Sequence, residues 1–180
     1  MFSNLLTDLN QIQQLAAQRH DEFEVMRYML QADDDIDDAA LDALVEQVAA
    51  PIIAAIDCTR CANCCRSLDV YLTEEDAQRL ADAIHIPLEQ VVVRYVDREA
   101  AREQGEWGRF RARPCAFLDD GLCAIYPHRP ESCRLYPAFT PDFRWTLADT
   151  IAGAGLCPII YHVLVAMLSR VDEIIRSTAK

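Results

Sequence analysis

The architecture of this chain depends on the stretch Cys58-Thr-Arg-Cys61-Ala-Asn-Cys64-Cys65-Arg66, which places four cysteines within eight residues. A Cys-x-x-Cys spacing allows two thiolates to reach one metal ion across a tight turn, and the third cysteine repeats that step. Cys64 and Cys65 are neighbours, so sharing one tetrahedral ion would strain the peptide between them. We therefore expect a metal site here, with Cys64 and Cys65 pointing to different places.

Four further cysteines follow, and their spacing bears on the kind of metal site. Structural zinc sites usually offer two separate Cys-x-x-Cys pairs, and a second pair is missing downstream of this run. Bacterial ferredoxins wrap a cluster with a C-x₂-C-x₂-C run and a remote Cys-Pro, which Cys157-Pro158 supplies far downstream. The pattern favours an iron–sulfur cluster and leaves zinc open. Eight cysteines permit two four-thiolate sites, or one site and a free thiol; the candidate metal ligands are Cys58, Cys61, Cys64, Cys65, Cys115, Cys123, Cys133 and Cys157.

The composition argues against several classes of protein. The 180-residue chain has a formal net charge of −12, which disfavours binding to nucleic acid or to an anionic membrane. Its apolar runs are too short for a membrane span, and its first residues carry no feature of a signal peptide. We expect a cytoplasmic protein, where thiols stay reduced and eight cysteines indicate metal chemistry more than disulfides. The expected partners are a metal ion or cluster, and a protein partner or a second copy of the chain.

The hydrophobic pattern predicts a mainly α fold: a compact helical domain with a small β-hairpin and a loop-rich cysteine cluster. Residues 1–57 lack cysteine and follow helical spacing on both sides of an acidic run at 33–38, which predicts an N-terminal helical hairpin. Pro51 is expected to kink the second helix or to begin a short new one. Residues 58–157 form the cysteine-rich metal-binding region. Residues 158–180 form a C-terminal helix packing on the same domain, with Ile174 and Ile175 on its apolar face.

Local signals predict several elements inside the cysteine-rich region. Thr73, followed by three acidic residues, is a helix N-cap and predicts a helix to about Ile84. Pro87 opens another helix, and residues 94–113 are predicted as part helix and part surface loop. Asp120-Gly121 lies between two short apolar segments and predicts a β-hairpin. A short helix is expected within residues 128–137.

Three runs in order resemble the YkgJ-type CxxCxxCC family: the run at 58–66, then Cys115-Ala-Phe-Leu-Asp-Asp-Gly-Leu-Cys123-Ala-Ile-Tyr126, then His128-Arg-Pro-Glu-Ser-Cys133-Arg-Leu-Tyr-Pro137. Members of that family are described as zinc- or iron-chelating proteins. They are related to the cysteine-cluster region of flagellin lysine methylases, in which an iron–sulfur cluster is expected. The resemblance implies chelation by the seven cysteines from Cys58 to Cys133, whereas Cys157 depends on the spacing argument alone.

Three functions remain open at this point. The first is a metal-binding protein that holds iron, as a 4Fe-4S cluster, or Zn²⁺, and serves electron transfer or metal handling. The second is a cluster-dependent enzyme such as a protein lysine methylase, although Gly153-Ala-Gly155 is a weak match to a cofactor-binding loop. The third is a structural zinc protein that mediates a partner contact. Arg66, Arg129 and Arg134 flank cysteines, and either stabilise a negatively charged thiolate site or pair with the abundant acids.

Overall fold

The computed structural model describes the backbone of residues 5–178 and the side chains of residues 5–171. Its regular elements are mostly helical, which confirms the predicted mainly α fold. In chain order they are α1 Leu9–Gln18, α2 His20–Ala32, α3 Asp38–Ala55, α4 Asn63–Ser67, β1 Tyr71–Leu72, α5 Glu74–Ile84, α6 Leu88–Tyr95, β2 Val96–Asp97, α7 Arg98–Arg102, β3 Gly108–Phe110, β4 Leu118–Asp119, β5 Leu122–Cys123, α8 Glu131–Leu135, α9 Phe143–Ala152 and α10 Pro158–Thr178. In this described part, every helix is too short or too polar to cross a membrane.

The described chain divides into two compact units. The helical unit comprises the described residues of Met1–Asp57 and Pro137–Lys180, and the cysteine unit comprises Cys58–Tyr136. Residues 137–157, which the sequence analysis assigned to the cysteine-rich region, are grouped with the helical unit. Residues 1–4 and 179–180, which were assigned to the two terminal helical regions, lie outside the residues that the structure describes. The predicted apolar face at Ile174 and Ile175 lies outside the described side chains.

The helical unit is formed by α1, α2, α3, α9 and α10. Helix α10 packs against the other four, and α9 packs against α2 and α3. Phe23, Leu41, Phe143 and Leu164 come from four different helices and are at most 1% exposed. Their burial removes large apolar side chains from water, which is the main stabilising contribution to such a core. Helix α3 continues through Pro51 and does not begin anew there.

The acidic run between α2 and α3 is held in place by Arg144 of α9. This side chain is 5% exposed, and its guanidinium donates to the carbonyl oxygens of Leu30, Asp33 and Ile36 and to the carboxylate of Asp38. A buried guanidinium needs such partners because an unpaired buried charge is costly. The predicted break between the two N-terminal helices is confirmed, and the connecting residues are held by hydrogen bonds from Arg144.

A three-stranded sheet in the described cysteine unit was not predicted. Strand β3 lies between β1 and β2 and is antiparallel to both, with Tyr71 opposite Arg109 and Val96 opposite Phe110. Gly108 allows this close pairing, because a Cβ atom there would lie 2.6 Å from Cγ1 of Val96. Strands of two or three residues are too short to show alternating hydrophobicity, so sequence periodicity did not reveal them.

The other local predictions in the cysteine unit are confirmed. Thr73 caps α5 through a capping box with Asp76, and α5 ends at Ile84 as expected. Strands β4 and β5 form the predicted hairpin around Asp120-Gly121. Helix α8 lies within the predicted stretch 128–137. These signals are local, since caps and tight turns depend on residues a few positions apart.

Candidate metal centre

The first two cysteines, Cys58 and Cys61, lie on a tight turn that leads into a short helix. Residues Cys58–Arg60 form a single 3₁₀ turn. The N–H groups of Cys61 and Ala62 both donate to the carbonyl oxygen of Cys58, at 3.2 and 3.3 Å. Ala62 then adopts a left-handed φ of 50°, and α4 begins with Cys64 and Cys65 in its first turn. The turn that a Cys-x-x-Cys pair requires is therefore present.

The adjacent cysteines Cys64 and Cys65 have their Sγ atoms 4.0 Å apart. In a tetrahedral zinc site with Zn–S bonds of about 2.3 Å, neighbouring sulfur atoms lie about 3.8 Å apart. The expectation that these two side chains point to different places is wrong. In the first turn of α4 the two side chains lean towards each other, so both thiols can contact the same metal centre.

Cys115 and Cys123 reach the same region through the β4–β5 hairpin. The N–H of Cys115 donates to the carbonyl oxygen of Cys65 at 2.8 Å, which joins the hairpin to α4. Asp120 and Gly121 have φ values of 42° and 81°, as a type I′ turn requires. This turn pairs Cys123 with Leu118, three residues after Cys115. The link to α4 and the hairpin turn therefore bring Cys115 and Cys123 to the same cavity.

Cys133 is positioned by two hydrogen bonds from the residues immediately before it. The N–H of Glu131 donates to Oδ1 of Asp76 at 3.1 Å, and the hydroxyl of Ser132 donates to the carbonyl oxygen of Tyr71 at 2.7 Å. Asp76 is 2% exposed and also accepts from the N–H of Thr73. Helix α8, which carries Cys133, is therefore attached both to the start of α5 and to β1.

These cysteines surround one cavity in the cysteine unit with a volume of 450 Å³. Much of the remaining wall is apolar or aromatic. Asp69 is the acidic residue in the wall, and its carboxylate forms ion pairs with Arg109 at 3.3 Å and with Arg113 at 3.4 Å. His128, a possible ligand by sequence, is exposed and does not line the cavity. Of the eight cysteines, all within the described range, six line it: Cys58, Cys64, Cys65, Cys115, Cys123 and Cys133.

Two predicted ligands are placed differently. Cys61 belongs to the cysteine unit and is partly exposed, but it does not line the cavity. Cys157 belongs to the helical unit, where its N–H donates to the carbonyl oxygen of Gly153 between α9 and α10. It is 8% exposed. Its role as a metal ligand stays a prediction.

The thiols surround the cavity without closing on one point. Within the described residues, no three side chains of His, Cys, Asp or Glu converge closely enough to hold a single ion. The donor set is nonetheless suited to a soft metal, because it consists of thiols in an otherwise largely apolar wall. The cysteine unit therefore fits a metal centre whose sulfur ligands are spread around a central space.

Burial and mutual contact raise the pKa values of four of the cysteines, Cys65, Cys115, Cys123 and Cys133. Burial raises the pKa values of Cys115 and Cys123. Burial, with the charges of neighbouring cysteines, raises the pKa of Cys133 to about 12. For Cys65 the hydrogen bond with Cys64 is the largest cause of a strongly raised pKa, and burial adds to it. A bound cation would displace these protons, so metal binding is coupled to proton release.

Two arginines bring positive charge to the thiols. Arg129 lines the cavity, and its Nε donates to the carbonyl oxygen of Tyr126 at 3.2 Å. Its guanidinium also lies over the aromatic ring of Tyr126, 3.8 Å from the ring centroid. Arg66 donates to the carbonyl oxygen of Cys61 at 2.8 Å. Over residues 5–171 neither arginine forms an ion pair with a carboxylate. The geometry favours charge stabilisation of the thiolate site over acid pairing for these two residues. The side chain of Arg134 is exposed.

Comparison with known proteins agrees with this site. The family model described as "CxxCxxCC: Putative zinc- or iron-chelating domain" matches residues 57–152, just over half of the chain. The chain belongs to this family. The match covers the whole cysteine unit, Cys58–Tyr136, and extends to the end of α9. The family description supports metal binding and names zinc and iron alike.

This CxxCxxCC protein is also similar to the uncharacterized protein MJ0661 of Methanocaldococcus jannaschii. The two are 36% identical over 85 residues, which make up 46% of this chain and 44% of that protein. The chain therefore spans less than half the length of this relative. No solved structure matches the chain.

Sequence reasoning missed the residues that position the cysteines. Thr73 and Asp76 were interpreted as a helix start, and their spacing is indeed that of a capping box. Nothing local indicated that Asp76 would also accept from Glu131, or that Ser132 would donate to Tyr71. Such partners depend on the packing of distant segments, which sequence spacing does not encode.

Proposed function

We propose that this CxxCxxCC protein holds an iron–sulfur cluster of the 4Fe-4S type in the cavity of the cysteine unit and uses it for electron transfer. The observation that carries this proposal is the arrangement of six thiols around one cavity. Cysteine thiolates are the usual ligands of iron–sulfur clusters. Thiolates also select soft metals over magnesium or calcium, which prefer oxygen ligands.

The spread of the thiols supports a cluster over a single ion. One zinc ion draws four sulfur atoms to within about 3.8 Å of each other. A cluster places several metal ions and sulfides between its cysteines, so its ligands stand further apart. The cavity of 450 Å³ has room for the second arrangement.

Electron transfer is supported by the surroundings of the thiols. Hydrogen bonds, net charge and solvent exposure tune the reduction potential of a cluster. Arg66 and Arg129 lie next to the cysteines without acid partners among the described side chains, so they would stabilise the more negative, reduced state. Cys58 is exposed, which would bring one edge of the centre close to a redox partner. The same exposure would also suit metal handling.

A structural zinc site is the second candidate, and one observation favours it. The Sγ atoms of Cys64 and Cys65 are 4.0 Å apart, close to the spacing in a zinc–thiolate site. Leu122, Tyr126 and Leu135 are 59%, 45% and 61% exposed on the same unit, which would suit a protein partner. A lysine methylase activity and a cytoplasmic location stay predictions, although a reducing compartment would preserve these thiols.

Anaerobic purification with metal and sulfide analysis tests the proposal. We expect iron, acid-labile sulfide and a broad absorption band at about 400 nm. Cys65→Ser and Cys133→Ser should lower that absorbance, whereas the matched control His128→Gln should keep it. Cys157→Ala, measured alongside, tests the predicted eighth ligand by its effect on iron content. Stoichiometric zinc in a colourless sample would replace the cluster proposal with the zinc candidate.

A further inference from the structure

The charge of the chain is distributed unevenly between the two units. The cysteine unit contains 11 arginines and 13 acidic residues, whereas the rest of the chain contains six basic and 16 acidic residues. Two copies of a chain with a net charge of −12 repel each other, and this repulsion is weakest where each copy is nearly neutral. The cysteine unit is therefore the part of the surface on which two copies can approach at the least electrostatic cost.

Within the cysteine unit, the mouth of the cavity carries exposed apolar side chains. Leu122 and Tyr126 both line the cavity, and yet they are 59% and 45% exposed. The ring of Tyr126 is supported from one side by the guanidinium of Arg129. Exposed apolar side chains next to polar ones mark interaction sites, and tyrosine and arginine are enriched at protein interfaces. The mouth of the cavity therefore has the composition of a contact surface.

Charges of both signs lie beside these apolar side chains. Asp119 is directly opposite Leu122 in the β4–β5 hairpin, and cross-strand partners of an antiparallel pair lie on the same face. A Cβ atom on Gly121 would lie 4.0 Å from Nη2 of Arg66, so this guanidinium lies next to the same turn. Over residues 5–171, none of the ion pairs includes Arg66, Asp119 or Asp120, and all three are exposed. The hairpin turn thus presents one cation and two carboxylates to solvent.

The mouth face, formed by Arg66, Asp119, Asp120, Leu122 and Tyr126, is self-complementary. In a dimer with twofold symmetry the same face of both copies forms the interface, so every contact occurs twice. Arg66 of each copy can then pair with the two carboxylates of the other copy. An acidic partner would match Arg66 but would repel the carboxylates, and a basic partner would do the reverse. A second copy of the chain is the occupant that satisfies both signs of charge.

We propose that the mouth face is the contact surface of a homodimer, in which each copy covers the mouth of the other copy's cavity. Leu122 and Tyr126 form the apolar centre of this interface, and Arg66 pairs with Asp119 and Asp120 at its edge. The proposal goes beyond the metal function, because these side chains belong to the protein whichever metal the cavity holds. The dimer also brings the two cavities next to each other and shields their mouths from water.

An exchange of charges across the interface tests the proposal. Analytical ultracentrifugation of the wild type at increasing concentration should give twice the mass of the 20.3 kDa chain. Arg66→Glu, and separately Asp119→Lys with Asp120→Asn, should each be monomeric, because like charges then face each other. Asparagine keeps the turn, since it tolerates the left-handed backbone at this position. An equimolar mixture of the two variants should recover the dimer, because opposite charges then face each other at both edges.

The control for these variants is Arg94→Glu, the same change at an exposed arginine of α6, which should stay dimeric. A monomeric wild type would overturn the proposal. A mixture that stays monomeric, although both variants show the wild-type circular dichroism spectrum, would overturn it as well. Metal analysis of the same samples tests the cluster function separately, since a dimer without iron would remove that function and leave the interface.

The apolar centre of the interface is tested by a second pair of variants and by a measurement on the wild type. Leu122→Ser should raise the dissociation constant of the dimer about tenfold or more. Val93→Ser is the matched control, because Val93 is 74% exposed and does not line the cavity. In the unmutated protein, hydrogen exchange of peptides covering residues 118–126 should slow as concentration rises, while exchange in α6 stays constant. Equal dissociation constants for the two serine variants, or exchange at 118–126 that is independent of concentration, would contradict the proposed interface.

Discussion

The buried carboxylate of Asp76 accepts a hydrogen bond of 3.1 Å from the N–H of Glu131, which lies 55 residues further along the chain and two residues before Cys133. The same carboxylate completes the capping box of α5 with Thr73 and accepts from Arg79. One side chain therefore stabilises a helix start and also positions a proposed metal ligand. This double role gives a prediction that separates the two effects.

Asp76→Ala should destabilise the protein and reduce its metal content. The change leaves the backbone N–H groups of Thr73 and Glu131 and the Arg79 side chain without their acceptor. Hydrogen bonds to charged groups contribute about 1.5 to 3 kcal/mol each, so the two backbone bonds alone give an expected loss of at least about 3 kcal/mol in the free energy of unfolding. Thr73→Ala is the control, since it removes only the cap and should cost about 1 kcal/mol. Urea unfolding and iron analysis provide the two readouts. Equal iron content in the two variants would argue against a positioning role for Asp76.

Ser132→Ala should make Cys133 more accessible with a smaller effect on stability. The hydroxyl donates to the carbonyl of Tyr71, and one such bond contributes about 1 kcal/mol. Ser132→Thr keeps the hydroxyl and is the matched control. Timed alkylation of the metal-free protein, followed by peptide mapping, should show faster labelling of Cys133 in the alanine variant. Unchanged labelling would mean that the Asp76 contact alone positions α8.

Gly121→Ala should destabilise the β4–β5 hairpin. Gly121 has a φ of 81°, which costs an L-residue about 1 to 2 kcal/mol. An added Cβ atom would meet only Nη2 of Arg66, at 4.0 Å, so the cost comes from the backbone and not from crowding. Asp120→Asn is the control, because asparagine tolerates this turn. If the two variants unfold at the same urea concentration, the turn geometry is not what holds Cys123.

Arg144→Met should destabilise the helical unit by about 3 kcal/mol, because three backbone carbonyls in the connection between α2 and α3 lose their donor. Arg144→Lys should recover only part of this loss, since a lysine cannot donate in the same forked geometry. Urea unfolding followed by circular dichroism measures both variants. A loss below about 0.5 kcal/mol for the methionine variant would place Arg144 among ordinary surface residues.

Asp38, which accepts a hydrogen bond from Arg144, makes the stability of the protein depend on pH in a defined direction. The hydrogen bond from Arg144 is the largest cause of the lowered pKa of Asp38, with a further bond from Trp145. Because the folded pKa lies below the unfolded value of about 3.9, the contribution is present above that value and is lost as pH falls through the folded pKa. Wild type and Asp38→Asn should therefore differ in stability at about pH 6, and the difference should shrink as pH falls below the unfolded value of about 3.9 towards the lowered folded pKa. A difference that stays constant over this range would rule out the Asp38 contribution.

The parts of the fold that sequence predicts well are those with local causes. Helix α5 was found from Thr73 and the acids after it, and the hairpin from Asp120-Gly121. The three-stranded sheet was missed because its strands are too short for a pattern. Helix α9 was missed as well; its N-cap residue, Asp142, makes no side-chain capping bond. The expected divergence of Cys64 and Cys65 was wrong, since side-chain rotation in a single helical turn is not visible in a sequence.

The sequence by itself determined the chemistry of this protein: thiols in a Cys-x-x-Cys run, an acidic and mainly helical chain, and the caps and turns that depend on a few adjacent residues. Only the tertiary structure decided which thiols meet. It joins Cys115 to Cys65, attaches α8 to Asp76, and groups Cys157 with the helical unit. The reason is physical: backbone preferences act over a few residues, whereas distant partners are selected by which segments bury their apolar faces together.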